Sequence, residues 1–481
     1  MAAALWMAAC GGAAESDSDV PATEEDGPAM LGPPVQLGGD GPCPPQPLTL
    51  ADTLATALVD AAAQPAASRP FLRYVSTGQF RPGPCDDDGP IEGARRELSR
   101  ARMAVSKLIN GMSREPRAVV PQAVGSEGLL LRLDLRDYGW QAPVDLDGQS
   151  HANAWEAVAA RAAIALELQG GPASELEREL GTRVPVLLSS SFVATAVSAE
   201  LYYAILRLPA TLGELKRELG IDGDEDVERG PWVRAAFSTS GVSAQPRGVA
   251  RYRGSALGDG YFWQTFDFAP SARQESLYLE PLTTRADAHQ VMFSLPNGLP
   301  AYYVTDAEGS RALESRFLVD AAQNNGRMRL ASSCVSCHNG GVIAFNDEAR
   351  GFVEGNADLY SEAELARVGE VFPSQEEMEG LRTADSQRMF EAAELAGQPL
   401  TTPDPVSRTF LDYELRLTFD RLAAELFLDR ATLIERLSSL PEDIATSATS
   451  GALERAVFEA RYLEAACVLY GAAESSPVGC P

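Results

Sequence analysis

Three residues in the stretch SSCVSCHNGG can carry out a chemistry that few other residue patterns support. Cys334, Cys337 and His338 form a CxxCH motif. On a helical turn residues i and i+3 share one face, so both thiols can reach the two vinyl groups of one porphyrin and form thioethers. His338 then lies under the iron as its proximal ligand. The motif therefore predicts one covalently attached haem c.

Other uses of this motif have less support in the sequence. A structural zinc site usually takes four ligands, and no second CxxC or HxxxH occurs. A thioredoxin-type redox pair needs a strand-to-helix context, which the surrounding residues do not supply. A disulfide between Cys334 and Cys337 would leave His338 without a role. Haem attachment is the interpretation that uses all three residues.

The sequence leaves the sixth position on the iron open among several alternatives. Met378 and Met389 follow His338 at the spacing at which small cytochromes c keep a distal methionine. Both also belong to a helical stripe with Leu381, a pattern more typical of core packing, and this favours no methionine ligand at either position. His289 is a further candidate, and an open or water-bound position is another.

The apolar segment 289–305, which begins HQVMFSLPNGLPAYY, precedes the motif. It is too apolar for a free linker, so we expect it to pack the haem region against the preceding domain. His289 or Met292 would then lie where they could cover the iron.

The strongly acidic composition limits the classes of partner. The 481 residues are 45% hydrophobic and 22% charged, as in ordinary globular proteins, but their formal net charge is −28. Such a surface repels phosphate backbones and anionic lipid, so we expect no nucleic-acid partner. A redox partner protein would present a cationic face, because charge complementarity speeds encounter.

The N-terminal residues MAAALWMAACGG resemble the end of a bacterial lipoprotein signal, with Cys10 as the lipidated residue. No Lys or Arg precedes Arg69, so the usual positive region is missing, and a disordered Ala-rich leader is the alternative. Residues 11–47 are typical of a flexible tether. We expect a location in the cell envelope of a Gram-negative bacterium, periplasmic or as an outer-membrane lipoprotein, with membrane contact only through the lipid anchor.

The cysteines outside the motif agree with export. After Cys10 and the CxxC pair are set aside, four of the seven cysteines remain. An even number favours two disulfides in an oxidising compartment, with buried free thiols as the alternative. Proximity along the sequence favours the pairs Cys43–Cys85 and Cys467–Cys480.

Hydrophobic periodicity predicts an α+β N-terminal domain followed by a mainly α-helical, cytochrome-c-like domain. Helices are expected at 48–62, 91–112, 152–168, 198–207 and 211–220, and aromatic-rich strands at 230–305. VPVLLSSSFVATAV is expected to be extended, and the pattern from about 325 onward is helical, including one long helix from Asp404 to Leu426. The predicted organisation is leader and tether at 1–47, an α+β domain at 48–310 and a helical haem domain at 311–481.

Several further motifs carry weaker predictions. Asp145, Asp147 and Glu156 partly match a calcium loop, but Ser150 stands where glycine is needed. No GxSxG, HExxH, P-loop or GxGxxG occurs.

Taken together, the segments LRLDLRDYGW, FVATAVSAELYYAILRLP, VRAAFSTSGVS, YFWQTFDF, FSLPNGLPAYYVTDAEGSR, SSCVSCHNGG and DPVSRTFLDYELRLTFDRLAAEL cover most of residues 70–430. In these segments the chain resembles a family of exported bacterial proteins of unknown biochemical role, in which an α+β domain precedes a cytochrome-c-like domain. The CxxCH corresponds to Cys334, Cys337 and His338. The family's asparagine near Gln245-Pro246 is absent here. The resemblance implies haem, export and redox activity, without a substrate.

Three functions from different classes follow. The first is electron transfer or redox sensing by one covalent haem at the cell envelope. The second is a peroxidase-like haem enzyme with an open distal face, for which Asp134, Arg136 and Asp137 are candidate catalytic residues; a cross-strand salt-bridge ladder is the structural alternative. The third is a module that binds an extracellular polymer, with a structural haem. Exposed tryptophans would indicate that module, and buried ones would not: Trp140, Trp155, Trp232 and Trp263.

Overall fold

A computed structural model of the chain describes residues 48–80, 90–167, 171–221, 232–270, 276–320, 326–398, 403–451, 453–471 and 480. The expected leader, the lipidation of Cys10, the tether and the pair Cys43–Cys85 lie outside these residues. Within them the fold mixes α-helices and β-sheets. No helix in this part of the chain is long and apolar enough to cross a membrane.

The strands, in chain order, are β1 (Leu72–Ser76), β2 (Gln122–Val124), β3 (Leu130–Asp134), β4 (Val144–Leu146), β5 (Gln149–His151), β6 (Val186–Leu188), β7 (Trp232–Phe237), β8 (Arg247–Tyr252), β9 (Phe262–Phe266), β10 (Ala288–Ser294), β11 (Pro300–Asp306), β12 (Glu314–Val319) and β13 (Arg327–Arg329). The helices are α1 (Leu50–Ala63), α2 (Pro90–Gly111), α3 (Ala154–Arg161), α4 (Gly171–Leu180), α5 (Ser189–Ala196), α6 (Ala199–Ile205), α7 (Leu212–Glu218), α8 (Ser276–Leu279), α9 (Ser332–Cys337), α10 (Ala349–Gly355), α11 (Glu362–Val371), α12 (Gln375–Leu395), α13 (Pro405–Glu414), α14 (Phe419–Glu425), α15 (Arg430–Arg436), α16 (Glu442–Thr449) and α17 (Arg455–Tyr470).

The chain divides into two compact units, and the division differs from the boundary expected at residue 310. The central unit comprises Leu206–Glu394 together with 403–404. The terminal unit joins the two ends of the described chain, residues 48–205, 395–398 and 405–480. The CxxCH motif therefore belongs to the same unit as the strands β7–β11, and not to a separate helical C-terminal domain.

The terminal unit is built on one shared core. Its sheet has the order β2-β3-β1-β6, with β1 antiparallel to β3 and parallel to β6. Leu54 of α1 and Tyr74 of β1 belong to the same buried cluster as Leu422, Leu433 and Phe458 of the C-terminal helices. Those helices bury their apolar faces against N-terminal elements, because burial of apolar surface drives packing wherever complementary surface is available.

The central unit contains an antiparallel sheet in the order β11-β10-β9-β8-β7. Directly opposite residues share a face, and successive residues alternate between faces. Phe237 pairs with Arg247, and Arg251, four residues further along β8, pairs with Trp263. Trp263 pairs with Met292, and Met292 with Tyr302, so these side chains lie on one face. This face lines the site described below.

Four predictions of secondary structure were wrong in part. The helix expected at 152–168 ends at Arg161, after which Ala162 is extended. VPVLLSSSFVATAV is extended only over β6 and then becomes α5. A β-hairpin of β12 and β13 occupies part of the region expected to be helical. The helix expected from Asp404 to Leu426 is broken between α13 and α14, where the Leu417 amide donates to the Leu453 carbonyl at 2.9 Å. That tertiary hydrogen bond competes with helix continuation.

Cys467 and Cys480 form a disulfide with a Cα–Cα distance of 5.6 Å. We expect the double variant Cys467→Ser/Cys480→Ser to lower the free energy of unfolding by up to about 3 kcal/mol, since the crosslink restricts the unfolded chain. Chemical unfolding of the oxidised wild type and of the variant measures the difference. Non-reducing peptide mapping provides the control, and a free thiol at either position in the wild type would contradict the pairing.

Candidate functional site

The CxxC pair lies on the short helix α9 of the central unit. Ala331 precedes it with φ of +62°, and the Val335 amide donates to the Ala331 carbonyl at 2.8 Å, so the chain turns sharply into the helix. Cys334 and Cys337 are therefore one helical turn apart, as the motif predicts. Cys334 is a free thiol, whereas Cys337 is in a disulfide whose other half lies outside the described residues. The two cysteines are thus not bonded to each other.

Burial makes Cys334 a poor redox nucleophile. It raises the pKa of the Cys334 thiol to about 12, so the thiol is protonated at neutral pH. Reactive thiols in exchange enzymes have a lowered pKa instead. This argues against a thioredoxin-type pair and agrees with a cysteine that serves as an attachment point.

His338 ends helix α9, and its ring is oriented by a backbone acceptor. Its Nδ1 lies 3.2 Å from the carbonyl oxygen of Gly341, which can only accept a hydrogen bond, so Nδ1 carries the proton. The lone pair then resides on Nε2, the nitrogen available to a metal. The ring stacks on Tyr302 with centroids 6.0 Å apart.

Burial, which the Gly341 carbonyl opposes and the positive charge of Arg247 reinforces, lowers the pKa of His338 to about 4. The imidazole is therefore neutral at physiological pH, the form that ligates metals.

A pH titration of the cofactor-free chain tests this environment. We expect His338 to titrate near pH 4. Because the unfolded imidazole binds its proton near pH 6.5, the unfolded state binds more protons between about pH 6.5 and 4, and stability falls as the pH is lowered through that window. NMR can follow the imidazole signals, since the chain has three histidines, and His338→Gln assigns the signal. A midpoint near 6.5 for His338 would contradict the buried environment.

A cavity of about 440 Å³ adjoins the motif and is lined by Cys334, Cys337 and His338. This volume lies within the range of roughly 300–1,000 Å³ usual for small-molecule sites. Cys334 and His338 keep partial exposure within the fold because they line this space. The facing wall is the sheet, whose contributing side chains are mostly aromatic or apolar: Phe237, Val249, Trp263, Met292, Tyr302 and Val304.

The loop after His338 is held against helix α12. The Val342 amide donates to Ser386 Oγ at 3.0 Å, and Arg382 donates to the Val342 carbonyl at 2.7 Å. Gly341 has φ of +92°, and a Cβ there would lie 2.6 Å from the Ser386 Cβ. Only glycine fits this position, which explains the second glycine of the HNGG sequence.

The far end of the same loop is fixed to the sheet edge. Phe345 stacks on Phe237 with centroids 5.4 Å apart, and Asp347 Oδ1 accepts from the Ala236 amide at 2.8 Å. The loop therefore closes one side of the cavity between His338 and strand β7.

The structure separates the candidates for the sixth ligand. His289 faces away from the cavity, against Phe266 at 5.3 Å, because it alternates with Gln290 and Met292 along β10. Met378 and Met389 are buried on α12 and do not line the cavity. Met292 does line it.

Met328 of β13 also lines the cavity, and the sequence analysis missed it. The only available signal was its position ahead of the motif on a strand that was expected to be helical. Met292 and Met328 are therefore the two methionines of the described chain that line the cavity.

The other predicted site residues do not assemble into a site. Asp134 caps a 3₁₀ turn and pairs locally with Arg136 at 2.5 Å, whereas the predicted cross-strand ladder would link different strands. Burial raises the pKa of Asp137. Asp134, Arg136 and Asp137 all belong to the terminal unit, whereas every residue lining the cavity belongs to the central unit.

The structure also accounts for the partial calcium motif and for the tryptophans. Asp147 pairs with Arg161, and Glu156 with Arg73 at 3.3 Å, so the acidic residues do not converge. Across the described ranges, no group of three or more His, Cys, Asp or Glu side chains could hold a metal ion. The side chains of three of the tryptophans, Trp140, Trp155 and Trp263, are buried, which removes their support for polymer binding.

The residues around the cavity fit a covalently held haem. Two cysteines on one helical turn, a neutral histidine with Nε2 unprotonated and an aromatic wall could supply attachment, ligation and an apolar enclosure to such a group. Thioether attachment would require Cys337 as a thiol, so the disulfide at Cys337 would have to be reduced before a haem could be attached. No protein-family model, curated protein or solved structure matches the chain.

Proposed function

We propose that this chain is an exported c-type haem protein that transfers or senses electrons at the cell envelope. The observation that carries the proposal is the CxxCH motif in the wall of an aromatic cavity, with the Nδ1 of His338 held by the Gly341 carbonyl. Cys334 and Cys337 would hold the porphyrin through thioethers, and His338 Nε2 would bind the iron.

Different residues of the chain would have different roles at such a site. A bound haem supplies one-electron chemistry, with a potential that its ligands and surroundings set. The Gly341 carbonyl orients the His338 ring and increases its basicity as a ligand. Trp263 and Tyr302 on the facing sheet, and Phe345 in the loop after His338, would keep water away from a bound haem. A low local dielectric is one of the levers by which a protein tunes a haem potential.

The partner and location belong to the same proposal. The net charge of −28 favours a redox partner with a cationic face. The resemblance to a lipoprotein signal at Cys10 and the disulfide Cys467–Cys480 favour an oxidising envelope compartment.

Covalent haem retention tests the proposal directly. The full chain, produced with cytochrome c maturation machinery, should keep its haem stain in a denaturing gel. Cys337→Ser should weaken or abolish the stain, and Cys334→Ser/Cys337→Ser should abolish it, because thioethers are the only bonds that survive denaturation. Ser336→Ala, a change between the two cysteines, is the matched control and should stain like the wild type. A wild-type chain without covalent haem would overturn the proposal.

The visible spectrum then separates electron transfer from peroxidase-like catalysis. A six-coordinate low-spin iron would favour electron transfer, and a five-coordinate high-spin iron that binds cyanide without a lag would favour catalysis. Met292→Ala and Met328→Ala decide whether a cavity thioether ligates, since loss of the near-infrared methionine band in one variant identifies the ligand. Met378→Ala and Met389→Ala serve as controls and should leave that band unchanged, because neither residue lines the cavity.

A further inference from the structure

Arg247 is a nearly buried cation in the wall of the cavity. The residue is 8% exposed, and its Nε donates to Asp267 Oδ1 at 2.7 Å. Asp267 is itself 1% exposed and accepts a second hydrogen bond from the Thr265 hydroxyl at 2.9 Å. Asp267 therefore fixes the guanidinium plane without occupying all of its donors.

The remaining donors of Arg247 are available beside the cavity. Among the residues that the structure describes, its terminal nitrogens have no acceptor, and they are not sealed from solvent. Because Arg247 lines the cavity, a ligand that enters this space can approach its guanidinium group. A guanidinium with two free parallel donors is matched to a carboxylate, which it binds in a bidentate geometry.

Among the described residues of the cavity wall, no second cationic side chain offers a position for that carboxylate. Besides cysteine, tyrosine and His338, two ionisable residues line the described part of the cavity, namely Arg247 and Glu348. Glu348 already accepts hydrogen bonds from the Ser238 amide and hydroxyl and from the Tyr278 hydroxyl, at 2.9–3.0 Å. The described lining of the cavity is thus largely aromatic and apolar, and within it Arg247 on strand β8 is the one permanently cationic side chain.

We propose that the Arg247–Asp267 pair is a carboxylate-binding position, and that the occupant of this cavity is a planar apolar anion with a carboxylate bound to Arg247. The inference rests on the proposed function and extends it, because it makes one face of the β7–β11 sheet part of the cofactor site. A haem carries two carboxylates on an otherwise apolar plane. Arg247 is then a positioning residue that sets the rotation of the porphyrin within the cavity.

A titration of the reduced, haem-free full chain, in which Cys337 is a thiol, with haemin and with haemin dimethyl ester tests the inference, and absorbance follows the binding. The ester has the same plane but no carboxylate charge. We expect the wild type to bind haemin about tenfold more tightly than the ester, since one charge-assisted pair is lost with the ester. Arg247→Gln should bind haemin about tenfold more weakly than the wild type and leave the affinity for the ester unchanged.

Arg234→Gln is the matched control. Arg234 is also nearly buried on the same sheet, but its side chain lies over Phe266, on the face away from the cavity, and donates to the Pro281 carbonyl. The Arg234→Gln variant should leave the affinities for haemin and for haemin dimethyl ester unchanged. An Arg247→Gln chain that binds both porphyrins like the wild type would overturn the inference and leave the haem proposal intact. A wild type that binds neither porphyrin would overturn the haem proposal as well. If Arg247→Gln does not fold, equal wild-type affinities for acid and ester overturn the inference.

Discussion

Replacing Gly341 with alanine should destabilise the chain by about 2–4 kcal/mol, the sum of a left-handed backbone penalty and overpacking. The new Cβ would lie 2.5 Å from Ser386 Oγ and 2.6 Å from Ser386 Cβ, so the loop must move away from helix α12. Such a movement displaces the carbonyl that holds His338 Nδ1. We therefore expect the variant to retain less haem after maturation, in addition to its lower stability.

Gly340 provides the matched control. A Cβ at Gly340 meets no heavy atom within 4 Å, so Gly340→Ala should change stability by less than about 0.5 kcal/mol and leave haem retention unchanged. Chemical unfolding and haem absorbance per chain measure the two effects. Ser386→Gly in the Gly341→Ala background removes both close contacts and should restore part of the lost stability. Equal behaviour of the two alanine variants would contradict the role assigned to Gly341.

Replacing Asp385 with alanine should lower the free energy of unfolding by about 3–5 kcal/mol, because it leaves buried cationic and polar donors without their acceptor. Asp385 is fully buried on α12. It accepts from Arg251 Nε at 2.7 Å, from Trp263 Nε1 at 2.9 Å and from Arg388 at 2.9 Å. Arg251 and Trp263 lie on the cavity face of the sheet, so the same carboxylate fixes α12 to that face.

The exposed member of this network is the control for the buried one. The Arg388 side chain is 40% exposed, and Arg388→Ala should change stability by less than about 1 kcal/mol. Urea unfolding followed by tryptophan fluorescence measures both variants. A similar loss of unfolding free energy in Asp385→Ala and Arg388→Ala would show that burial does not determine how much each side chain of this network contributes to stability.

Local periodicity predicted many of the elements but not their partners. The stripe at 91–112 becomes α2, and the helix expected at 48–62 becomes α1, where Thr49 caps the first turn through the Asp52 amide. The C-terminal helices were recognised from their apolar faces, yet nothing in their sequence indicated that Leu422 and Phe458 would share a core with Leu54. An apolar stripe specifies that a face is buried, because the hydrophobic effect is not directional, and it does not specify the surface that buries it.

The CxxCH motif shows what the sequence alone determined at the site. Covalent spacing and helical geometry are local properties, so Cys334, Cys337 and His338 were identified as a unit without any tertiary information. The same spacing could not show that the wall facing them is the β7–β11 sheet, since residues 237–304 are brought to the motif only by strand pairing.

Tertiary structure alone decided which neighbouring residues reach the site. His289 and Met292 looked equivalent in one apolar segment, but the period of two along a strand sends them to opposite faces, and the pairing of Met292 with Trp263 and Tyr302 sets which face meets the cavity. The sequence around Arg247 also did not indicate a binding residue, because its role depends on the ion pair with the buried Asp267, which only the fold brings beside it. Sequence determines the chemistry that a residue can perform, whereas strand register and packing determine which residues perform it together.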